Sequence, residues 1–307
     1  MTDAGFRVVV VGDVVTDVLA VLSEPLAPNS DTRGGIRITG GGQAANTAAW
    51  LAAEGVAVSL VAAVGDDAAG TARLDELRGA GVHLAIRRCA APTGTVIVLA
   101  HQGDRTMVAD RGANLQLAAA DVEAGLAQTT DARHLHLSGY TLLDAESRGA
   151  GQGALAAARR RGLTTSVDAA SAQPLRQVGA EAFLAWVHGV DLLLANADEA
   201  AALAGGTDPV DQARSLTTVA RQVVVKRGAA GAVWAERDGR LFTAPAHPAR
   251  RVDPTGAGDA YAAGLLAALL RGAGAEAGLH RAAALGAVAV ATVGARPPAG
   301  PVRAPRR

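Results

Sequence analysis

Residues 191–226 read DLLLANADEAAALAGGTDPVDQARSLTTVARQVVVK. Asp191–Ala195 and Gln222–Lys226 are short apolar runs, and the segments between them, Ala197–Ala204 and Val210–Ala220, read as helices. Strands that are apolar along their whole length are strands buried on both faces, which is the condition of a parallel sheet covered by crossover helices. The same alternation continues outward in both directions. Towards the N-terminus it predicts strands at Arg7–Gly12, Val58–Val64, His134–Leu137 and Thr164–Asp168, and helices at Ala44–Glu54, Ala68–Ala80, Ala120–Gln128, Ala145–Arg161 and Ala182–Val187. Towards the C-terminus it predicts a strand at Ala232–Ala235 and helices at Ala257–Leu270 and Ala275–Val293. The expected fold class is α/β with a mostly parallel central sheet.

Two stretches break the alternation. Asp31–Gly40 interleaves polar and apolar residues, as a half-exposed strand does. Thr95–Ala109 reads as two strands around a turn at Gln102-Gly103-Asp104. A small β-sheet projecting from the main domain accounts for both, and a pair of surface loops is the alternative. The tail from Pro297 to Arg307 carries four prolines and three arginines and is expected to fray.

Composition removes several function classes. The chain has 307 residues, half of them hydrophobic and 19% charged, enough for a large core and unlike a disordered chain. At about 150 residues per domain this length corresponds to roughly two domain-equivalents. Lys plus Arg and Asp plus Glu are 29 each, so there is no basic surplus to neutralise nucleic-acid phosphates. Three Phe, two Tyr and three Trp make a poor base-stacking platform. The longest apolar runs, Ala260–Leu270 and Ala282–Ala295, are shorter than the roughly 18 residues of a membrane span. Cys89 is the single cysteine, and the N-terminal apolar run reads as a first core strand rather than a signal peptide. A cytoplasmic protein is expected.

The chemistry concentrates in short motifs. Asp253-Pro-Thr-Gly-Ala-Gly-Asp259 runs into a strong helical segment, whose first N–H groups can hold an anion. A carboxylate there repels an anion, unless Asp259 takes a proton from an attacking hydroxyl while the amides hold the transferred phosphoryl group. A plain helix cap is the structural alternative. Gly40-Gly41-Gly42-Gln43-Ala44-Ala45-Asn46 satisfies a dinucleotide pattern, but it follows the interleaved segment rather than the first core strand. Close backbone approach to a polyhydroxyl ligand, with Asn46 as donor and acceptor, fits it better. Asn196-Ala-Asp-Glu199 reads as a capping box, and Glu199 can also organise a hydrated Mg²⁺. Lys226-Arg227-Gly228-Ala-Ala-Gly231 is either a β-turn or the border of a nucleotide site. Lys226 is the only lysine and is not followed by Ser or Thr, which excludes a Walker A loop. His134 and His136 share a strand face without a third zinc ligand. No nucleophile elbow is present.

Taken together, GDVVTD at the N-terminus, GGGQAAN, NADE, KRGAAG and DPTGAGDAYAAG make the chain resemble the PfkB carbohydrate kinases, the ribokinase-like sugar and nucleoside kinases, from Val8 to about Pro298. The resemblance implies a three-layer α/β/α ribokinase-like domain over residues 1–298, with a small β lid from about 15–40 and 93–111 and a flexible tail over 299–307. It implies ATP and Mg²⁺, and a small sugar or sugar derivative phosphorylated at a primary hydroxyl. A nucleoside kinase and a non-catalytic sugar- or nucleotide-binding protein are the alternatives. By motif, Asp259 is the base, and Gly256, Ala257 and Gly258 form the anion hole. Asp17, Gly41, Gly42 and Asn46 hold substrate hydroxyls. Asn196 and Glu199 govern Mg²⁺ and phosphate, and Lys226, Arg227, Gly228 and Gly231 border the nucleotide. Asp253 and Thr255 correspond to a monovalent-cation (K⁺) site used by part of the family.

The chain departs from ribokinases proper at Gln43, where they carry Lys, at Val15, where they carry Asn, and at Ser138-Gly139-Tyr140, where they carry Glu. The D-x-N-x-R string of sugar-acid kinases and fructokinases is replaced by Asp168-Ala-Ala-Ser171. Neither nucleic acid nor a membrane is expected as a partner. Ile36, Ile38, Val96 and Val98 are expected on the inner face of the lid, and two lids pairing in a homodimer would satisfy its open edges.

Overall fold

The structure is a computed structural model and describes residues 6–101 and 104–298. The turn residues Gln102 and Gly103 and the tail over 299–307 lie outside the described residues. The chain begins with β1 (Arg7–Val11), β2 (Val15–Leu22), β3 (Gly34–Gly41), α1 (Gln43–Ala53), β4 (Ala57–Gly65), α2 (Ala68–Gly79) and β5 (His83–Cys89). There follow β6 (Gly94–His101), β7 (Asp104–Asp110), α3 (Ala119–Ala127), β8 (Ala132–Ser138), α4 (Tyr140–Leu143), α5 (Ala145–Arg160) and β9 (Thr164–Asp168). The last third holds α6 (Ala172–Val178), α7 (Ala180–Trp186), β10 (Leu192–Asn196), α8 (Ala197–Ala204), α9 (Pro209–Leu216) and β11 (Gln222–Lys226). It closes with β12 (Ala232–Glu236), β13 (Leu241–Ala244), α10 (Ala257–Leu270) and α11 (Ala275–Val290).

Nine strands form one sheet in the order β13-β12-β11-β10-β9-β8-β1-β4-β5, and only the pairs β11–β12 and β12–β13 are antiparallel. Both faces are covered, which makes a three-layer α/β/α fold. Val8 and Val10 pack into the core with Trp50 and Leu265, from α1 and α10. Val9 and Val11 pack on the opposite face with Leu126 and Leu155, from α3 and α5. All four valines are fully buried, which is why β1 reads as an unbroken apolar run. His134 and His136 sit inside this core, hydrogen-bonded through the Ser166 hydroxyl at 2.7 and 2.8 Å, and burial pushes both imidazoles down to about 3. Among the described residues no helix is long and apolar enough to cross a membrane.

Several elements differ from the sequence expectation for identifiable reasons. Helix α9 stops at Leu216 because the Thr217 and Thr218 hydroxyls donate to the carbonyls of Arg214 and Ser215 and turn the chain out of the helix. Helix α11 stops at Val290, where Thr292 does the same to Ala289. Strand β5 escapes the pattern because it is a sheet edge, with Arg87 and Arg88 paired to Asp121 and Asp66. Strands β2 and β13 and helices α4 and α6 also lie outside the predicted elements.

A second sheet of four strands, in the order β3-β2-β6-β7, contains both interleaved stretches. Its register corrects the expected inner face. Leu19 pairs with Arg37 and Val98, and Asp17 with Thr39 and Val96, so Val96 and Val98 share the face of Asp17. Ile36 and Ile38 alternate with Arg37 and Thr39 and fall on the opposite face, 69% and 66% exposed. A strand flips every side chain with a one-residue shift of register, and period two in separate strands leaves that shift open. On the outward face Ile38, Val18, Ile97 and Val108 form one row across all four strands.

Candidate active site

After β1 the chain adds β4 and β5 on one side, and it then returns by way of β6, β7 and α3 to add β8 on the other side of β1, so the strand order reverses there and opens a crevice at the carboxyl ends of the strands. Asp13 follows β1, Ser138 ends β8, Asp168 ends β9, Asn196 ends β10 and Lys226 ends β11. Ser138 pairs in register with Asp168, and Asn196 with Lys226. Five polar side chains are thereby set along one rim.

The N-termini of α1 and α10 meet at this crevice, and they are used differently. At α1 the Asp13 carboxylate accepts from the amides of Gln43 at 3.1 Å and Ala44 at 3.3 Å. That helix end is occupied by a carboxylate of the protein itself, which leaves these amides no place for a dinucleotide phosphate. At α10 no side chain caps the helix. Gly256 takes a left-handed φ of 74°, and a Cβ there would lie 2.3 Å from the Ala295 carbonyl oxygen. The turn therefore packs directly on the backbone of residue 295 and sets the start of α10 at the crevice, where Ala257 N–H donates to the Pro254 carbonyl at 3.3 Å and no side chain caps the amides that follow.

Asp259 sits in the first turn of α10, and its Oδ2 accepts from the Asn46 amide at 2.8 Å. Removal from water raises its carboxyl well above the usual range, and although the Asn46 hydrogen bond opposes this, nearby Asp168 adds to it. In its ionised form a carboxylate raised in this way is a stronger base than an ordinary aspartate. Asp17 lies against Gly41, where a Cβ would come 2.3 Å from its carboxylate oxygen. Burial pushes Asp17 up to about 6, against the attraction of Arg296. The structure thus brings Asp17, Gly41, Asn46 and Asp259 to one side of the crevice.

Of the residues expected to border a nucleotide, Lys226, Gly228 and Gly231 line a neighbouring cavity of about 620 Å³ together with Ala257, Gly258 and Tyr261 among others, and Asn196 and Arg227 do not. Arg227 turns away and donates to the Ala230 carbonyl at 2.7 Å, so its guanidinium closes the turn. Asn196 and Glu199 form a complete capping box: Glu199 accepts from the Asn196 backbone amide at 2.7 Å and side-chain amide at 2.6 Å, and returns its own N–H to Asn196 Oδ1 at 2.9 Å. Burial lifts Glu199 to about 7. Asp253 Oδ1 accepts from Thr255 N at 2.9 Å and Oδ2 from Gly294 N at 3.0 Å, bracing the turn before α10.

Sequence reasoning did not single out Asp13 or Arg111, and it named Gln43 and Lys226 without linking either to Asp168. Arg111 stacks 4.7 Å over the Tyr140 ring and faces Asp13 at 3.6 Å. Gly12-Asp13 and Asp168 each end a predicted strand, and the rule that parallel strands carry their ligands at the carboxyl end was the signal that could have found them.

The pfkB family carbohydrate kinase profile matches residues 6–301. A 2-dehydro-3-deoxygluconokinase of Thermoproteus tenax is 31% identical over 292 residues, covering 90% of this chain and 89% of the relative. An ATP-dependent ribose-1-phosphate kinase of Halopiger xanaduensis is 31% identical over 303 residues, covering 94% of both. In fold, a putative ribokinase II from E. coli solved with ATP and Mg²⁺ superposes with a TM-score of 0.83 at 23% identity, over 94% of each chain. The chain belongs to the PfkB family of carbohydrate kinases, as an ATP-dependent kinase of sugars or nucleosides.

Proposed function

We propose that the protein transfers the terminal phosphoryl group of ATP to a primary hydroxyl of a small sugar or sugar derivative. The observation that carries this is the Asp259 carboxylate, hydrogen-bonded to Asn46 of the glycine loop and set in the first turn of an uncapped helix. Asp17, Gly41, Gly42 and Asn46 orient the acceptor. Asp259 takes the hydroxyl proton as that oxygen bonds to phosphorus, the bond to the ADP oxygen breaks, and the amides after Gly256, with Ala257 and Gly258, hold the charge on the phosphoryl oxygens.

Mg²⁺ fits the rim beside Glu199, where it would neutralise phosphate charge. Glu199 is buried with both oxygens engaged by the cap, which suits contact through water rather than direct ligation. Glu199→Gln leaves one acceptor oxygen in place of two. The Mg²⁺ concentration for half-maximal rate should rise severalfold, with only a small fall in melting temperature. An unchanged Mg²⁺ dependence would reduce Glu199 to a helix cap. The K⁺ role of Asp253 and Thr255 rests on the resemblance alone.

A nucleoside acceptor is the second reading. It is favoured by an apolar cleft of about 600 Å³ between the small sheet and the 251–255 turn, lined by Leu19, Val21, Val98, Val252 and Val293. A cleft of this kind accommodates a base more naturally than a bare sugar does. Screening neutral sugars, sugar acids, sugar phosphates and nucleosides for ATP-dependent ADP release separates the two readings. No turnover on any class, despite nucleotide binding, would favour a non-catalytic binder.

The four-stranded sheet acts in this reading as a lid that excludes water from the phosphoryl group. Amide exchange in β2, β3, β6 and β7 should slow when the acceptor binds without nucleotide, and no response to a bound acceptor would remove the closure role. Its outward row of Ile38, Val18, Ile97 and Val108 suits a second copy of the chain. Sedimentation showing only monomer at working concentration would end the dimer reading and leave closure intact.

A further inference from the structure

The Lys226 ammonium lies 2.6 Å from Asp168 Oδ2. On its other side it is 3.4 Å from where a Cβ on Gly258 would project. It therefore stands against the first turn of α10. A helix N-terminus carries partial positive charge and disfavours a cation beside it, and anions are what such ends attract. Two positive sources converging on one spot are reconciled when a group of high negative charge arrives between them. Burial alone would lower the lysine, yet the Asp168 and Glu199 carboxylates hold it above its ordinary range, so it meets that group fully charged.

Asp168 is arranged for this task. It is 2% exposed, and its second oxygen accepts from Gln43 Nε2 at 3.2 Å and Ala170 N at 3.4 Å. Ala170 takes a φ of 79°, a left-handed conformation that costs a non-glycine residue energy and is kept where the surroundings demand it. The Ser138 hydroxyl lies 2.7 Å from Gln43 Oε1 and 2.9 Å from Asp13 Oδ1, sharing its proton between them, and the Gln43 amide turns its NH₂ towards Asp168. A buried ion pair is a weak source of stability, since desolvation offsets most of its attraction. Its retention here points to position rather than stability.

We infer that Asp168 is a positioning residue that holds the Lys226 ammonium against the terminal phosphoryl group of the nucleotide, and that through Gln43 it ties this contact to the substrate loop. The inference rests on the kinase reading above, and it assigns Lys226 to the transferred group rather than to the base or ribose.

The test needs no acceptor. Affinities of the intact chain for ADP and for the non-hydrolysable triphosphate AMP-PNP, each with Mg²⁺, are measured by titration calorimetry. The subjects are the wild type, Lys226→Met, Asp168→Asn, Asp168→Glu and the double variant. Each of Lys226→Met and Asp168→Asn should lose about ten- to a hundredfold in AMP-PNP affinity, the scale of a charge-assisted hydrogen bond, with ADP affinity little changed. The double variant should lose no more than Lys226→Met alone, and Asp168→Glu should recover part of the loss. Equal losses for ADP and AMP-PNP, or a double variant losing the product of the two single factors, would overturn the inference. Should either single variant fail to fold, the double variant, which buries no unpaired charge, and Asp168→Glu still decide it. A wild type that binds neither nucleotide would sink the kinase reading as well, whereas retained triphosphate preference in all variants would sink this inference alone.

Discussion

Asp259→Asn is expected to reduce turnover by at least the roughly 10²–10⁴-fold typical of a general base, while the chain stays folded. Asparagine keeps an oxygen to accept from Asn46, so the 2.8 Å contact survives and only proton acceptance is lost. The pH profile of the wild type should carry the same signature. Asp259 must be ionised to act, and its pKa is raised, so the rate should rise with pH through that raised value, with Asp17 near 6 contributing to the same acid limb. Stability runs the other way. A carboxyl whose pKa is higher in the folded than in the unfolded chain contributes stability at low pH and loses it as pH rises through the folded value. Asp259→Asn should therefore melt at least as high as the wild type at neutral and alkaline pH and lose that advantage in acid. Near-wild-type turnover by the folded variant would remove Asp259 from the chemistry.

Gly256→Ala is expected to have the next largest effect. The new methyl would meet the Ala295 carbonyl oxygen at 2.3 Å and its Cα at 2.6 Å, and backbone atoms cannot rotate aside as a side-chain tip can. The left-handed φ of 74° adds about 1 kcal/mol for a residue with a Cβ. The N-terminus of α10 has to shift away from the 295 loop, carrying the open amides with it. Turnover should fall by about 10²–10³-fold, the scale of removing one donor from an anion hole, alongside a lower melting temperature. Turnover within about threefold of wild type, with lower stability only, would make the glycine a folding requirement and nothing more.

Much of this site was legible as motif. DPTGAGD before a helix, GGGQAAN, NADE and KRGAAG each sit where local backbone chemistry demands small or capping residues, and such demands act over a few residues of chain. Glu199 shows the limit of that reading. The capping box was visible from spacing, but that it engages both carboxylate oxygens, and so suits an outer contact to a metal, required coordinates. Arg227 shows it again, since its turn was visible and its inward hydrogen bond to Ala230 was not.

The sequence by itself determined the inner strands of the sheet and most of its covering helices, though not the edge strands β5 and β13, because strands buried on both faces leave unbroken apolar runs such as Val8–Val11, and burial of that kind is a property of each segment alone. Tertiary structure alone decided which distant side chains meet. Asp168 and Lys226 are 58 residues apart and Asn46 and Asp259 are 213 apart, and nothing in either neighbourhood encodes the partner. The facing of the small sheet was decided there too. Ile36 and Ile38 show the same period-two pattern as Val96 and Val98, and only cross-strand hydrogen bonding sets the register that puts one pair with Asp17 and the other towards solvent.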